Sequence, residues 1–236
     1  MIIINNPDNP FGSTIPRSTL EEITQFAKSR GTILMADEVY RPLFHSLPPG
    51  EEPPPSVLSL GYDKAVSTSS MSKAWSLAGI RVGWIATRDE EILNLIQSAR
   101  NYTTISVSQL DDQVAAFALS PSVRPNLLQR NIALARKNLA ILERFVDSHS
   151  STCSWTKPTA GTTAMVCFKK GGEPVDDAAF CMDVLKETKA LVMPGSTCFG
   201  DGKDFKGYMR VGYVSDTGLL ETALDKLGQY VEKNLA

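Results

Sequence analysis

The stretch SSMSKAWSLAGIRVGW, residues 69–84, sets Lys73 at the end of a small polar run, with Arg81 eight positions on between Gly79 and Gly83. An amine that attacks a carbonyl carbon, followed closely by a cation for an anionic group, is the pattern expected of a lysine that bonds covalently to a phosphorylated cofactor. Three other groups stand at comparable places. Asn9 follows the first apolar run in NPDNPFG, and Asp37 and Tyr40 follow the next in ADEVY. Ser70 and Ser72 precede the lysine. In an open α/β sheet, ligands sit at the carboxyl ends of the strands. That rule gathers a carboxylate, a phenol, an amide, hydroxyls, a lysine and an arginine into one crevice.

The elements that must position these groups follow from periodicity. Ile2, Ile3 and Ile4 form a β-branched run that stops at the turn NNPDNP. A helix follows from about Ser18 to Arg30, with Ser18 and Glu21 as a capping box, Leu20, Ile23 and Ala27 on one face, and Gly31 as the C′ residue. TILMADEVY, KAVSTSS and RVGWIAT read as strands, and Asp89 caps a helix through Arg100. The proline-rich PLFHSLPPGEEPPPS is a loop. Strand and helix in alternation argue for an α/β domain with a largely parallel sheet.

The second half changes character. Residues 107–119 and 123–148 read as helices broken near Pro121 and Pro125, and Leu128, Ile132, Ala135, Leu139 and Leu142 recur at steps of three and four. An AMVCF strand, a helix near Asp176–Glu187, a YMRVGYV strand and a helix from Thr217 to Lys233 complete a small α+β domain. The expected division is 1–120 for the sheet domain and 121–236 for a linking helix and the small domain.

Composition excludes several classes. Of 236 residues, 42% are hydrophobic and 21% charged, which fits a globular chain and neither a disordered one nor a coiled coil. A formal net charge of −2 gives no reason to expect nucleic acid or an anionic membrane as partner. No apolar run is long enough to cross a bilayer, and MIIINNPDNP has no basic segment or cleavage pattern of a secretory signal. Cys153, Cys167, Cys181 and Cys198 form no CxxC pair, and the histidines are only His45 and His149, so no metal site is expected. Each cysteine reads as a small buried hydrophobe, and the set fits a reducing, cytoplasmic location.

NPDNPFG, ADEVY, SSMSKAWSLAGIRVGW, VMPGSTCFG and YMRVGY, in this order, resemble the aminotransferase class I/II family, whose members use pyridoxal 5'-phosphate (PLP). The resemblance implies PLP-dependent transferase fold type I: here a partial large domain with a mostly parallel sheet and a small C-terminal α+β domain. It implies an amino acid and a 2-oxo acid as substrates and a homodimer for the full-length fold. It assigns Lys73 as the lysine that holds PLP as an internal aldimine. Asp37 is implied to pair with the pyridine nitrogen, and Tyr40 and Asn9 to bond the ring hydroxyl. Ser70 and Arg81 are implied to hold the phosphate, and Arg210 the substrate α-carboxylate, for which its planar fork is suited.

Family members carry a long N-terminal portion ahead of the NPxNPxG turn that this sequence does not contain. A four-strand remnant of the sheet is therefore expected to expose apolar surface. KPTAGTTAMV departs from the family's usual glycine pair and aromatic, so Thr162, Thr163 and Met165 are expected to offer the substrate a different surface. Three other readings stand beside amino transfer. The same cofactor and fold also run lyase and synthase reactions. Ser70-Met71-Ser72-Lys73 fits the S-x-x-K of acyl-transfer enzymes, whose companion motifs are represented only by the near match Ser215-Asp216-Thr217. A truncated, non-catalytic paralogue that binds a full-length partner is the third.

Overall fold

The β-branched run at the start forms β1 (Ile2–Asn5), which pairs in parallel with β2 (Leu34–Asp37); β2 pairs in parallel with β3 (Ala65–Ser70). β4 (Gly83–Thr87) lies antiparallel to β3 at the edge of this four-stranded sheet, whose order is β1-β2-β3-β4. The computed structural model describes residues 1–235, in two units. The first unit holds Met1–Asn9, Ser13–Ile132 and Thr159–Gly161; the second holds residues 10–12, 133–158 and the chain from Thr162 onward.

The first unit's helices are α1 (Arg17–Ser29), α2 (Glu90–Arg100), α3 (Gln109–Leu119) and the start of α4 (Arg124–Ser148). Leu20 and Ala27 of α1 pack with Leu34 and Ala36 of β2, Ala65 of β3, and Val57 and Tyr62. Gly31 takes φ +60° at C′, as expected. The capping box does not form. The helix begins one residue early, after Pro16, so Ser18 lies inside the first turn, and Glu21 pairs instead with Arg17 at 3.2 Å. Asp89 does cap α2, its Oδ1 accepting from the Ile92 N–H at 3.0 Å. Pro125 breaks nothing: it sits in the first turn of α4, where its missing N–H has no helical partner to lose.

The second unit is built on an antiparallel sheet of order β5-β6-β9-β8, from β5 (Cys153–Trp155), β6 (Thr163–Lys170), β7 (Glu173–Pro174, paired to β6), β8 (Met193–Pro194) and β9 (Tyr208–Gly212). Its helices are the rest of α4, α5 (Asp177–Thr188), the short α6 (Gly195–Cys198) and α7 (Thr217–Asn234). Leu139, Leu142 and Phe145 of α4, Phe180 and Val184 of α5, and Leu220 and Leu224 of α7 cover one face of the sheet. Asp216 caps α7 through the Leu219 N–H, a structural use of the residue that gave the near match to an acyl-transfer motif.

Two expectations about side chains change. Cys153, Cys167 and Cys181 are buried and Cys198 is exposed, so only three of the four cysteines are packing residues. Burial pushes the Cys153 thiol up to about 11 and the Cys181 thiol up to about 12. Met165 is fully buried and so presents no surface of its own. The expected apolar exposure is present on the first unit, where Ile85 of β4, Leu95 of α2, Leu110 and Phe117 of α3, and Tyr102 and Ile105 between those helices all face out. Among the described residues no helix is long and apolar enough to cross a membrane, and no group of His, Cys, Asp or Glu could hold a metal ion.

Candidate active site

Period two along β2 turns Leu34, Ala36 and Glu38 inward and leaves Met35 and Asp37 half-buried. Asp37 ends the strand opposite Thr68 of β3. Its carboxylate Oδ1 accepts from the Val39 N–H at 3.1 Å and from the Thr68 hydroxyl at 3.4 Å. Both bonds fall on Oδ1; among the described residues nothing donates to Oδ2. Its backbone oxygen accepts from Asn5 Nδ2 at 2.9 Å, and Asn5 Oδ1 accepts from the Asn9 N–H at 2.8 Å. Asn9 is thus placed by the side chain that also braces Asp37.

Lys73 lies in the turn after β3. The turn is closed by backbone bonds from Met71 N–H to the Val82 oxygen and from Leu77 N–H to the Met71 oxygen. Nζ stands 5.9 Å from the ring centroid of Tyr40, which is 4% exposed. Among the described residues Nζ makes no hydrogen bond or ion pair. Ser70 Oγ accepts from the Ser72 N–H at 3.2 Å, so it already shapes the turn. Arg81 takes a left-handed φ of 56° and donates from Nη1 to the Ala78 oxygen at 2.9 Å. Of the two flanking glycines only Gly83 answers to a close approach: a Cβ there would come within 3.0 Å of the Ser69 oxygen, whereas at Gly79 nothing lies within 4 Å.

Sequence reading missed two residues. Glu38 is 6% exposed and takes hydrogen bonds from the Val57 N–H and the Ser67 hydroxyl, each 3.0 Å. It therefore ties the end of β2 to β3 and to the segment at Val57. Asn131 of α4 is buried and donates from Nδ2 to the Ala74 oxygen at 2.8 Å, holding the backbone next to Lys73. Trp75 is buried, and its Nε1 has no hydrogen-bond partner among the described residues.

Arg210 belongs to the second unit. On β9 it stands opposite Met165 of β6 and Met193 of β8. Its guanidinium lies over the Phe199 ring, 5.6 Å from the centroid, and one N–H points to the Met193 sulfur. The first unit thus brings Asn9, Asp37, Tyr40, Ser70, Lys73 and Arg81 to the ends of three adjacent strands and the turns that follow them.

These residues fit PLP by the chemistry they present. A carboxylate oxygen without a donor suits a protonated ring nitrogen. An unpartnered amine beside a buried phenol suits covalent attachment. A serine hydroxyl at the end of β3 and an arginine in the segment between β3 and β4 suit a phosphate.

Comparison with known proteins gives consistent matches. Residues 1–227 match the family model described as aminotransferase class I and II. Capreomycidine synthase of Streptomyces vinaceus is 28% identical over 230 residues, covering 97% of this chain and 55% of that protein. Aspartate aminotransferase of Thermotoga maritima is 26% identical over 232 residues, covering 98% of this chain and 55% of that protein. The crystal structure of a PLP-dependent aminotransferase from Streptococcus suis superposes with a TM-score of 0.86 at 33% identity, covering 99% of this chain and 57% of that one. The chain spans a little over half the length of the relatives it matches.

Proposed function

The chain belongs to the aminotransferase class I and II family, and we propose that it carries the lysine-bearing part of a PLP-dependent enzyme that moves an amino group between an amino acid and a 2-oxo acid. The observation that carries the reading is Lys73: an amine without a partner among the described residues, over the Tyr40 ring, in the turn next to the strand that ends in Asp37. PLP, when bound, supplies an electron sink that makes the Cα–H of an amino acid acidic.

The chain's own residues do the rest. Lys73 Nζ would hold the cofactor covalently and, as a neutral amine, would take the proton from the substrate Cα and give it back. Asp37 Oδ2 would accept from the ring N–H and favour the protonated nitrogen. Tyr40 and Asn9 would bond the ring hydroxyl, and Ser70 and Arg81 would hold the phosphate. Arg210 binds the substrate α-carboxylate through the paired N–H edges of its fork. Asn131 and Glu38 fix the backbone that carries Lys73 and Asp37.

A second reading, a synthase or lyase on the same residues, is supported by the likeness to capreomycidine synthase. One assay separates the two. The purified chain is supplied with PLP, a panel of amino acids and a 2-oxo acid acceptor. Amino transfer predicts that each donor consumed yields one new amino acid. Release of ammonia or of a cyclised product without acceptor consumption would assign the synthase or lyase reading. A chain that turns over no donor and co-purifies with a longer homologue would support the non-catalytic reading.

A further inference from the structure

Lys73 is an exposed side chain on a turn whose other members are packed. Met71, Ala74 and Trp75 are buried around it. Three backbone bonds close the turn: Met71 N–H to the Val82 oxygen at 3.0 Å, Leu77 N–H to the Met71 oxygen at 2.9 Å, and Ser76 N–H to the Lys73 oxygen at 3.0 Å. A further bond comes from a helix 57 residues along the chain: the buried Asn131 of α4 donates from Nδ2 to the Ala74 oxygen at 2.8 Å. Arg130 fixes which end of that amide faces the turn. Its Nε and Nη2 donate to Asn131 Oδ1 at 3.1 and 3.0 Å, and those donors can meet only the amide oxygen, so the NH₂ is left for Ala74. A second buried amide stands about two turns further along α4. Asn138 donates to the Tyr213 and Ser215 oxygens at 2.8 and 2.9 Å and accepts from the Thr217 hydroxyl at 2.9 Å. The two asparagines are alike in burial and in serving backbone oxygens, and they differ in what they hold. Asn131 holds the Lys73 turn of the first unit, and Asn138 the segment between β9 and α7 of the second.

We infer that Asn131 is a positioning residue for Lys73: by holding the Ala74 peptide it sets where Nζ stands, and so how fast that amine bonds PLP. The inference rests on the proposed role of Lys73. In the bonding step the neutral amine attacks the cofactor's carbonyl carbon, a carbon–nitrogen bond forms, and the carbonyl oxygen leaves as water with both amine protons; nothing is oxidised or reduced. Without the Asn131 amide the buried Ala74 oxygen loses its donor, and the turn relieves it by opening to water. Lys73 is one peptide away and moves with the turn. An amine displaced by about 1 Å attacks up to about 10²-fold more slowly. Aspartate at 131 matches asparagine in size and still receives Arg130 on one oxygen, but it sets its other oxygen against the Ala74 oxygen with no proton between them.

Timing the attachment tests this. The whole chain and its Asn131→Asp, Asn131→Ala and Asn138→Ala variants are mixed with PLP, samples are reduced with borohydride at intervals, and the adduct on each lysine is measured by peptide mass. The exposed Lys28, Lys64 and Lys170 serve as internal references. Both Asn131 variants are expected to label Lys73 at least about tenfold more slowly than wild type, with the reference lysines unchanged. Asn138→Ala orphans two carbonyls where Asn131→Ala orphans one, so it should lower the melting temperature at least as far, yet label Lys73 at the wild-type rate. Far-ultraviolet circular dichroism checks that each chain is folded at the assay temperature, and Asn131→Asp, equal in size, carries the test where alanine fails to fold. Wild-type labelling of Lys73 in the folded Asn131 variants, or labelling slowed equally in Asn138→Ala, would overturn the positioning role and leave that of Lys73 standing. No dominant adduct on Lys73 in the wild-type chain would overturn the role of Lys73 and the inference with it.

Discussion

Lys73→Ala is expected to abolish amino transfer, with a loss of at least about 10⁴-fold, because one atom serves both as covalent anchor and as the base that moves the proton. The fold should not share the loss. Lys73 is exposed, and its recorded contact is with the Tyr40 ring, so the melting temperature should hold. Lys73→Arg should be as inactive as alanine. It keeps the charge, but a guanidinium stays protonated and cannot serve as nucleophile. Retained transfer in Lys73→Ala, measured in the donor–acceptor assay, would move the chemistry to another residue.

The second large effect is on stability. Glu38→Ala removes the acceptor of the buried Val57 N–H and the Ser67 hydroxyl. Each orphaned donor costs about 1–3 kcal/mol, so a loss of about 2–6 kcal/mol is expected. Against a total stability of about 5–15 kcal/mol, that is enough to unfold part of the population. Glu38→Gln should cost only about 1 kcal/mol, because its amide oxygen can still serve Val57 while Ser67 turns its hydroxyl round to accept. Urea unfolding midpoints read the difference. An alanine variant as stable as wild type would show that the carboxylate is not the tie between β2 and β3.

The contrast between Asp37 and Glu38 shows where the sequence was readable. ADEVY marked a strand end rich in polar groups, and Asp37 does end β2, opposite Thr68 of β3. It passed over Glu38, because a carboxylate next to a functional candidate reads as part of the same motif. The period-two pattern of LMADE held the missing signal, since it turns position 38 inward with Leu34 and Ala36. Asn131 and Asn138 were overlooked for a similar reason. Both sit at the three-and-four spacing of the apolar stripe of α4, where a polar residue is a sign of a buried bond. Asn131 reaches the Ala74 oxygen, and Asn138 reaches the Tyr213 and Ser215 oxygens at 2.8 and 2.9 Å. Gly79 and Gly83 could not be told apart, because the approach to Ser69 depends on β3 and β4 pairing, a contact between residues distant in sequence. The N-terminus of α1 was misread because Ser18 and Glu21 have the spacing of a capping box, while Pro16, two residues before Ser18, is the N-cap from which the helix starts.

The claim beneath all of this is that Lys73 is the residue that bonds the cofactor. The direct measurement is to incubate the purified chain with PLP, reduce with borohydride, digest, and locate the modified lysine by peptide mass. The account predicts one dominant adduct, on the peptide containing Lys73, and its absence from the Lys73→Ala chain. Adducts spread over exposed lysines such as Lys28, Lys64 and Lys170, unchanged by that substitution, would contradict it.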